Sequence, residues 1–399
     1  MRTNRPKPLG TDKLAAAKLR SQGVIQTDIA HALGVTEPTI GRWIKQCEKE
    51  GYLENVLRFH DQYLSAGQRD QVDALVEATD LRDDLRDVAI GRNTTPLRRI
   101  RVYDTGSHGH GDDEWSARRV LFGHRVARDV LDLILTSRVC AVAWGHTVAG
   151  IIEGIAELTA TFDKPKPAIE FFPVRGDPLG AIDARTSPSA LCAQLGAIVN
   201  HAAAGHVRSL AGVPAVIPEV QARFEGEADA EVIKRYAGLS KAYDEIYGAG
   251  NRRSEIDCIL TTIGAISQGK QRAREGFGVY TKDCLETWGV NNAWLSTHVL
   301  GDCAGVFVER PGLREEDRQD FERMSLKWLG ISLEDFQRCA RDAENKKRPG
   351  VIVAALGDVD RARVVFECCT RLGIVNELFV DYEMKRHLEM LLEANDKNL

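Results

Sequence analysis

Gln26-Thr27-Asp28-Ile29-Ala30-His31-Ala32-Leu33-Gly34-Val35-Thr36-Glu37-Pro38-Thr39-Ile40-Gly41-Arg42-Trp43-Ile44-Lys45 is the stretch that decides how this chain is organised. Ile29, Ala30 and Leu33 fall on one face of a short helix, and Val35, Ile40 and Ile44 supply the facing side of a second, running to about Lys49. Gly34 between them supplies the positive φ that a tight helix connection commonly needs. Thr36 is a good N-cap residue, and Pro38 in the first turn removes no intrahelical donor. Upstream, Leu14, Ala17 and Leu19 predict a preceding helix that closes a three-helix core. Two helices around a short glycine turn form the helix-turn-helix pattern.

In that motif the first turn of the second helix meets base edges in the major groove. The candidates there are Thr36, Glu37, Thr39 and Arg42, flanked by Trp43 and Lys45, while Gln26 and Thr27 stand where phosphates are held. Arg42 either reads a guanine or clamps a phosphate; the residues leave both open. A three-helix bundle used for protein contacts has the same apolar pattern. The glycine turn, the N-cap, the arginine and the local charge together weigh toward double-stranded operator DNA.

Charge distribution agrees. Residues 1–60 carry ten Lys/Arg against six Asp/Glu, whereas the remainder carries 43 against 52, so a basic head precedes an acidic body. At 399 residues the chain exceeds one ordinary domain, and 43% hydrophobic with 28% charged residues is the balance of a soluble globular protein. No run approaches the ~18 apolar residues of a membrane span. The basic start, MRTNRPKPLG, lacks the apolar core of a secretion signal, so a cytoplasmic protein is expected. Its nine cysteines are scattered without a CxxC pair, which predicts buried reduced thiols and no zinc site.

Three regions follow: a head over 1–59, a helical linker over 60–95 and a body over 96–399. In the linker Leu75, Val76, Leu81, Leu85 and Val88 recur among charges, an amphipathic pattern able to pair subunits. In the body short apolar runs at 99–103, 139–144, 169–174, 256–263, 351–355 and 378–381 alternate with helical stretches. The fold class is therefore α/β: an N-terminal helix-turn-helix, with a short strand or wing near Leu53–Phe59, then a Rossmann-like, mostly parallel sheet with helices on both faces.

Ligands of such sheets bind beyond the carboxyl ends of the strands. Four segments are expected at that edge. Gly145-His146-Thr147 follows a strand and opens a helix, where backbone N–H groups and a hydroxyl make an anion site. Arg175-Gly176 aims a guanidinium at the same edge. Gly301-Asp302 adds a carboxylate for sugar hydroxyls, and Gly357-Asp358-Val359-Asp360-Arg361 a second glycine turn with a cation. Four such loops together point to a phosphorylated polyol.

These segments, with Ala143-Trp144, Pro173-Val174, Thr262-Ile263-Gly264-Ala265-Ile266 and the block 351–392, occur in the order seen in SorC-type sugar-binding transcriptional regulators, which the chain resembles over most of its length. The resemblance implies a winged helix-turn-helix and an effector domain similar to ribose-5-phosphate isomerase and glucosamine-6-phosphate deaminase. It also implies a phosphosugar effector and a homodimer or homotetramer. Carried over by motif, His146 and Thr147 meet phosphate, Arg175 a second anionic group and Asp302 sugar hydroxyls, while Arg361 replaces a phosphate-binding lysine. Two departures stand out. The family's Gly-Gly-x-x-Lys reads Gly357-Asp358-Val359-Asp360-Arg361, and Thr36-Glu37 replaces a Ser-Arg. Material near 225–255, 268–298 and 314–347 makes the chain longer than the family norm.

No cofactor or metal is expected. His108-Gly109-His110-Gly111-Asp112-Asp113-Glu114 reads more simply as a polar loop than as a metal site, and Gly-x-Ser-x-Gly is absent. The competing expectation is an enzyme, a sugar-phosphate isomerase or deaminase with a helical interaction module. It requires a general base, and Asp302 is the candidate.

Overall fold

The computed structural model describes residues 8–21, 24, 26–53, 65, 68, 72, 78–105, 112–159, 168–177, 186–200, 207, 215, 252–266, 281, 284–285, 289–325 and 328–396. The head comprises α1 (Thr11–Ser21), α2 (Gln26–Ala32) and α3 (Glu37–Lys49). Leu14, Leu19, Ile29, Ile40 and Ile44 are buried together, as the spacing predicts, with Val24, Cys47, Tyr52 and Leu53 closing the core. Lys13 ties α1 to α3, its ammonium donating to Gln46 Oε1 at 3.0 Å while its carbonyl accepts from Cys47 Sγ at 3.3 Å. Of the expected wing, Leu53 is described and residues 54–60 lie outside the described set.

The expected linking helix appears as α4 (Thr79–Gly91), and Leu81, Leu85 and Ala89 bury its apolar face. Leu81 and Leu85 join the core of the body.

The body alternates as the sequence predicts. Its elements run β1 (Arg99–Tyr103), α5 (Asp112–Ile134), β2 (Val139–Val142), α6 (His146–Thr159), β3 (Glu170–Pro173), α7 (Pro188–Asn200) and β4 (Cys258–Thr261). After β5 (Ile263–Ala265) come α8 (Asn292–His298), β6 (Val299–Cys303), β7 (Val306–Glu309), α9 (Glu315–Ser325) and α10 (Leu333–Lys346). The chain closes with β8 (Gly350–Ala355), α11 (Val359–Thr370), β9 (Glu377–Asp381) and α12 (Tyr382–Asp396). Six strands form one sheet in the order β1-β9-β8-β4-β2-β3, and every pairing in it is parallel.

Successive residues of a strand point to opposite faces, and both faces are apolar here. Val139 and Ala141 enter the core under α4, α10, α11 and α12, whereas Cys140 and Val142 enter the core under α5, α6 and α7. In β8 Val351 and Val353 go one way, and Ile352 and Ala354 the other. The amino edge of the sheet is locked by polar side chains. Asp257 accepts the N–H groups of Arg138 and Val139 at 3.0 Å, and Asn376 accepts from Val351 N at 2.8 Å while donating to Ala340 O at 3.1 Å. The carboxyl edge opens into a cleft.

Two expectations are corrected. The run 256–263 is not one strand: β4 stays in the parallel sheet, Thr262 turns the chain, and β5 leaves for a second sheet. Gly301-Asp302 is no parallel strand end either, because β6 lies between β5 and β7 in a three-stranded antiparallel sheet. Three- to five-residue strands with this spacing carry too little period-2 signal to be told from a loop. All nine cysteines are buried and none forms a disulfide.

Candidate functional site

The head presents one polar edge. Gly34 takes φ +63°, and Thr36 is extended at the N-cap of α3. The Thr36 hydroxyl makes no cap bond, contrary to the expectation for that residue. It pairs instead with Thr39 Oγ1 at 3.0 Å, which also accepts from the Arg42 guanidinium at 3.1 Å. Thr27 donates to Glu37 Oε2 at 3.3 Å across the two helices. Thr27, Thr36, Glu37, Arg42 and Lys45 are exposed, and Thr39 is half-buried between them. Gln26 is half-buried with its Oε1 only 3.3 Å from where a Gly41 Cβ would stand, so it also wedges α2 against α3.

The body's cleft lies where the chain reverses direction across the sheet: from β2 it passes outward to β3, then returns to β4 on the other side. Such a switch point leaves a crevice beyond the strand ends. The cleft has an empty volume of about 750 Å³, part of it open to solvent. Gly145, His146 and Thr147 form one wall, Thr262 to Gly264 another, and Asp302, Ala304 and Arg361 approach from the remaining sides. Gly145 has φ +108°, a conformation reserved for glycine, and its carbonyl accepts the first-turn N–H of Ala149 at 2.9 Å. His146 is exposed at the helix start and Thr147 is buried.

Asp302 reaches this cleft from the second sheet. The β6–β7 connection is a two-residue turn with φ +48° at Ala304 and +77° at Gly305, which suits a hairpin twist and stores strain at the alanine. The turn bends the Gly305 N–H back to Asp302 Oδ2 at 2.8 Å. Oδ1 is buried without a hydrogen-bond partner among the described residues. Burial pushes the carboxyl up to about 6, opposed by the Gly305 N–H and then by the Arg175 charge.

Arg175 and Gly176 do not line the cleft. The Arg175 side chain is buried, donates from Nε to Ala304 O at 3.0 Å and stacks 5.5 Å over the Trp328 ring. Trp328 in turn stacks on Trp144, with centroids 6.2 Å apart and planes 11° apart. A Cβ on Gly305 would stand 2.8 Å from Arg175 Nε and 2.9 Å from Trp328, so only glycine fits. Arg175 therefore supports the turn that carries Asp302, where the sequence reading aimed it at a ligand.

At the β8 end, Gly357 has φ +120°, and a Cβ there would stand 2.9 Å from the Trp115 ring. Asp358 caps α11, accepting from Arg361 N at 3.1 Å, and also pairs with the Arg361 guanidinium at 3.1 Å. The guanidinium stacks 4.9 Å over Trp115. Trp115 and Arg119, both cleft-lining, escaped the sequence reading. Neither belongs to a motif, and they meet the cleft as an i, i+4 pair on one face of α5. Burial, then the neighbouring Arg361 charge, lowers the Arg119 pKa from its ordinary value.

No group of metal-ligating side chains occurs among the described residues. The 108–114 run lies outside the described side chains, as do 225–251 and 268–280. No helix among the described residues is long and apolar enough to cross a membrane.

No protein-family model and no curated protein matches the sequence. Solved structures do resemble it. A crystallised domain from Arthrobacter aurescens TC1, titled as that of "a possible sugar-binding transcriptional regulator", aligns with TM-score 0.50 at 13% identity, over 78% of this chain and 96% of that one. The full-length sorbitol operon regulator SorC of Klebsiella pneumoniae aligns with TM-score 0.49 at 18% identity, over 95% of this chain and 98% of that one. The likeness to the Arthrobacter domain shows a shared fold over the aligned part of the chain.

Proposed function

We propose that this chain is a metabolite-responsive DNA-binding transcriptional regulator. Residues 1–59 read operator DNA, 60–95 join the parts, and 96–399 bind a small effector, a phosphorylated sugar or polyol. The observation that carries the reading is the exposed Thr36–Thr39–Arg42 network on the first turns of α3, presented by a head with its own apolar core. In the cleft, the α6 N-terminus and Arg361 suit an anionic group, and the unpartnered oxygen of Asp302 suits a hydroxyl. The Arthrobacter domain is described as that of a possible sugar-binding transcriptional regulator, which accords with this chemistry.

One head touches too few base pairs for specificity, so the acting form is a homodimer or homotetramer on paired half-sites in the cytoplasm. The effector acts by binding one arrangement of the heads better than another. The test selects an operator from random duplexes with the full chain, then measures its release by a panel of sugar phosphates and polyols. Retention of no sequence above bulk DNA defeats the proposal.

One observation favours the rival enzyme: a buried carboxyl pushed to about 6 in a cleft is suited to general acid–base work. Steady turnover of a pentose or hexose phosphate by the full chain, abolished in Asp302→Asn, is the outcome that would replace the regulator reading.

A further inference from the structure

Six consecutive residues of α1, from Leu14 to Leu19, are buried, including Lys18 at 5% exposed. A helix packed only within a three-helix head leaves one side to solvent. Here α2 and α3 pack on α1, and the cluster that holds its apolar residues also takes in Val72 of the linker and Tyr382 of the body. The body's share is specific. The Lys18 charge acts on Asp129 of α5, whose carboxyl pairs with Arg101 and Tyr103. Burial would raise this carboxyl, but Arg101 and then Lys18 hold it at about 2. Arg20 lies near enough to Arg125 of α5 to lower its pKa, behind the larger effect of burial, while Asp104 opposes both. Tyr382, the first residue of α12, packs against the head core and the body core alike.

The same two elements reach the cleft. Trp115 and Arg119 line it from α5, about four and three turns (about 21 and 15 Å) along the helix before Asp129. A Cβ on Gly123 would stand 2.5 Å from the backbone of Gly150, so α5 and α6 are in close backbone contact. At the β9–α12 junction the fully buried Asp381 accepts from Arg118, the neighbour of Arg119, and from Gly357 N of the Arg361 loop at 3.5 Å. The next residue is Tyr382. One carboxylate thus joins the cleft's loop, the cleft's helix and the residue on which the head rests.

We infer that the head docks on its own body through α1, against α5 and Tyr382, and that this docking is coupled to the cleft through α5 and Asp381. The biological use of the coupling rests on the regulator reading, but the docking and its coupling do not. Arg119 and Arg361 are like charges over one Trp115 ring, and an anion between them relieves their repulsion and so favours one position of α5. Linkage then requires head position to alter anion affinity by the same factor.

The experiment is hydrogen exchange of residues 11–21 in the full chain, read by mass spectrometry. Lys18→Ala and Tyr382→Ala should each raise α1 exchange at least fivefold, and Tyr382→Phe should restore protection. Arg119→Ala, with no ligand added, should change α1 exchange at least threefold. Val120→Ala, on the exposed side of the same helix turn, should leave it as in the wild type. Inorganic phosphate at constant ionic strength should shift α1 exchange in the wild type and not in Tyr382→Ala. Unchanged α1 protection in Lys18→Ala and Tyr382→Ala would overturn the docking, and unchanged protection in Arg119→Ala would overturn the coupling. Failure of the full chain to select an operator, with these shifts intact, would defeat the regulator reading alone.

Discussion

Asp358 holds Arg361 twice, accepting its backbone N–H and its guanidinium at 3.1 Å each. The Asp358 charge thus serves a helix cap and orients the cation over Trp115. The two duties separate by mutation. Asp358→Ala should cost about 1 kcal/mol through the lost cap, whereas Asp358→Ser keeps the cap and releases the guanidinium. Thermal unfolding should therefore show a loss for Ala only, while calorimetry with inorganic phosphate should show tighter binding in Asp358→Ser. Weaker phosphate binding by the serine variant would mean that orientation outweighs the removed charge.

Asp302 makes stability depend on pH in a direction opposite to that of a paired carboxylate. Its folded pKa, raised to about 6 from the ordinary 3.8, means that the native chain binds the proton more tightly than the unfolded chain. This group's contribution is most favourable below about pH 3.8 and is lost as pH rises through about 6. At 1.36 kcal/mol per unit the full loss is at most about 3 kcal/mol. Asp302→Asn should equal the wild type in urea unfolding at pH 4 and exceed it at pH 7.5. It should also bind polyols less tightly, because the carboxylate acceptor is gone. Parallel stability curves for the two proteins from pH 4 to 7.5 would contradict this.

Gly123 should behave against helix propensity. An exposed mid-helix Gly→Ala change stabilises by roughly 0.5–1 kcal/mol. Here the new methyl would stand 2.5–2.9 Å from the backbone of Gly150 and Ile151, which cannot yield as a side chain tip would. Gly123→Ala should instead destabilise by about 1–3 kcal/mol in denaturant titration, while Gly91→Ala, with open space around it, should not.

Arg42 tests the recognition helix. Arg42→Ala should weaken binding to the selected operator by about 1–3 kcal/mol at matched salt if it reads a base. If it clamps a phosphate instead, the loss should be similar for all sequences and the salt slope should fall by about one. Thr39→Val, which removes the acceptor that steadies the guanidinium, should give a smaller loss of the same kind. Fluorescence anisotropy over a salt series separates these outcomes, and unchanged affinity in Arg42→Ala would remove α3 from the interface.

What the residues settled unaided were the local and periodic features. The helix-turn-helix, the strand–helix alternation and the glycine turns at 145 and 357 follow from side-chain period, capping and permitted φ, which act within a few residues of one another. The destinations of side chains were another matter. Arg175 looks like a ligand arginine in its own loop, yet it is buried behind Ala304 by a turn 129 residues further on. Asp302 looks like a strand end of the main sheet, yet it arrives from a second one. Trp115 and Arg119 carry no motif, and enter the cleft because α5 is pressed against α6 at Gly123 and Gly150. Tyr382 likewise carries no signal of its own, yet it packs against the head core and the body core alike. Those placements depend on which elements pack together, and no periodicity within a segment encodes the distance to a partner far away in the chain.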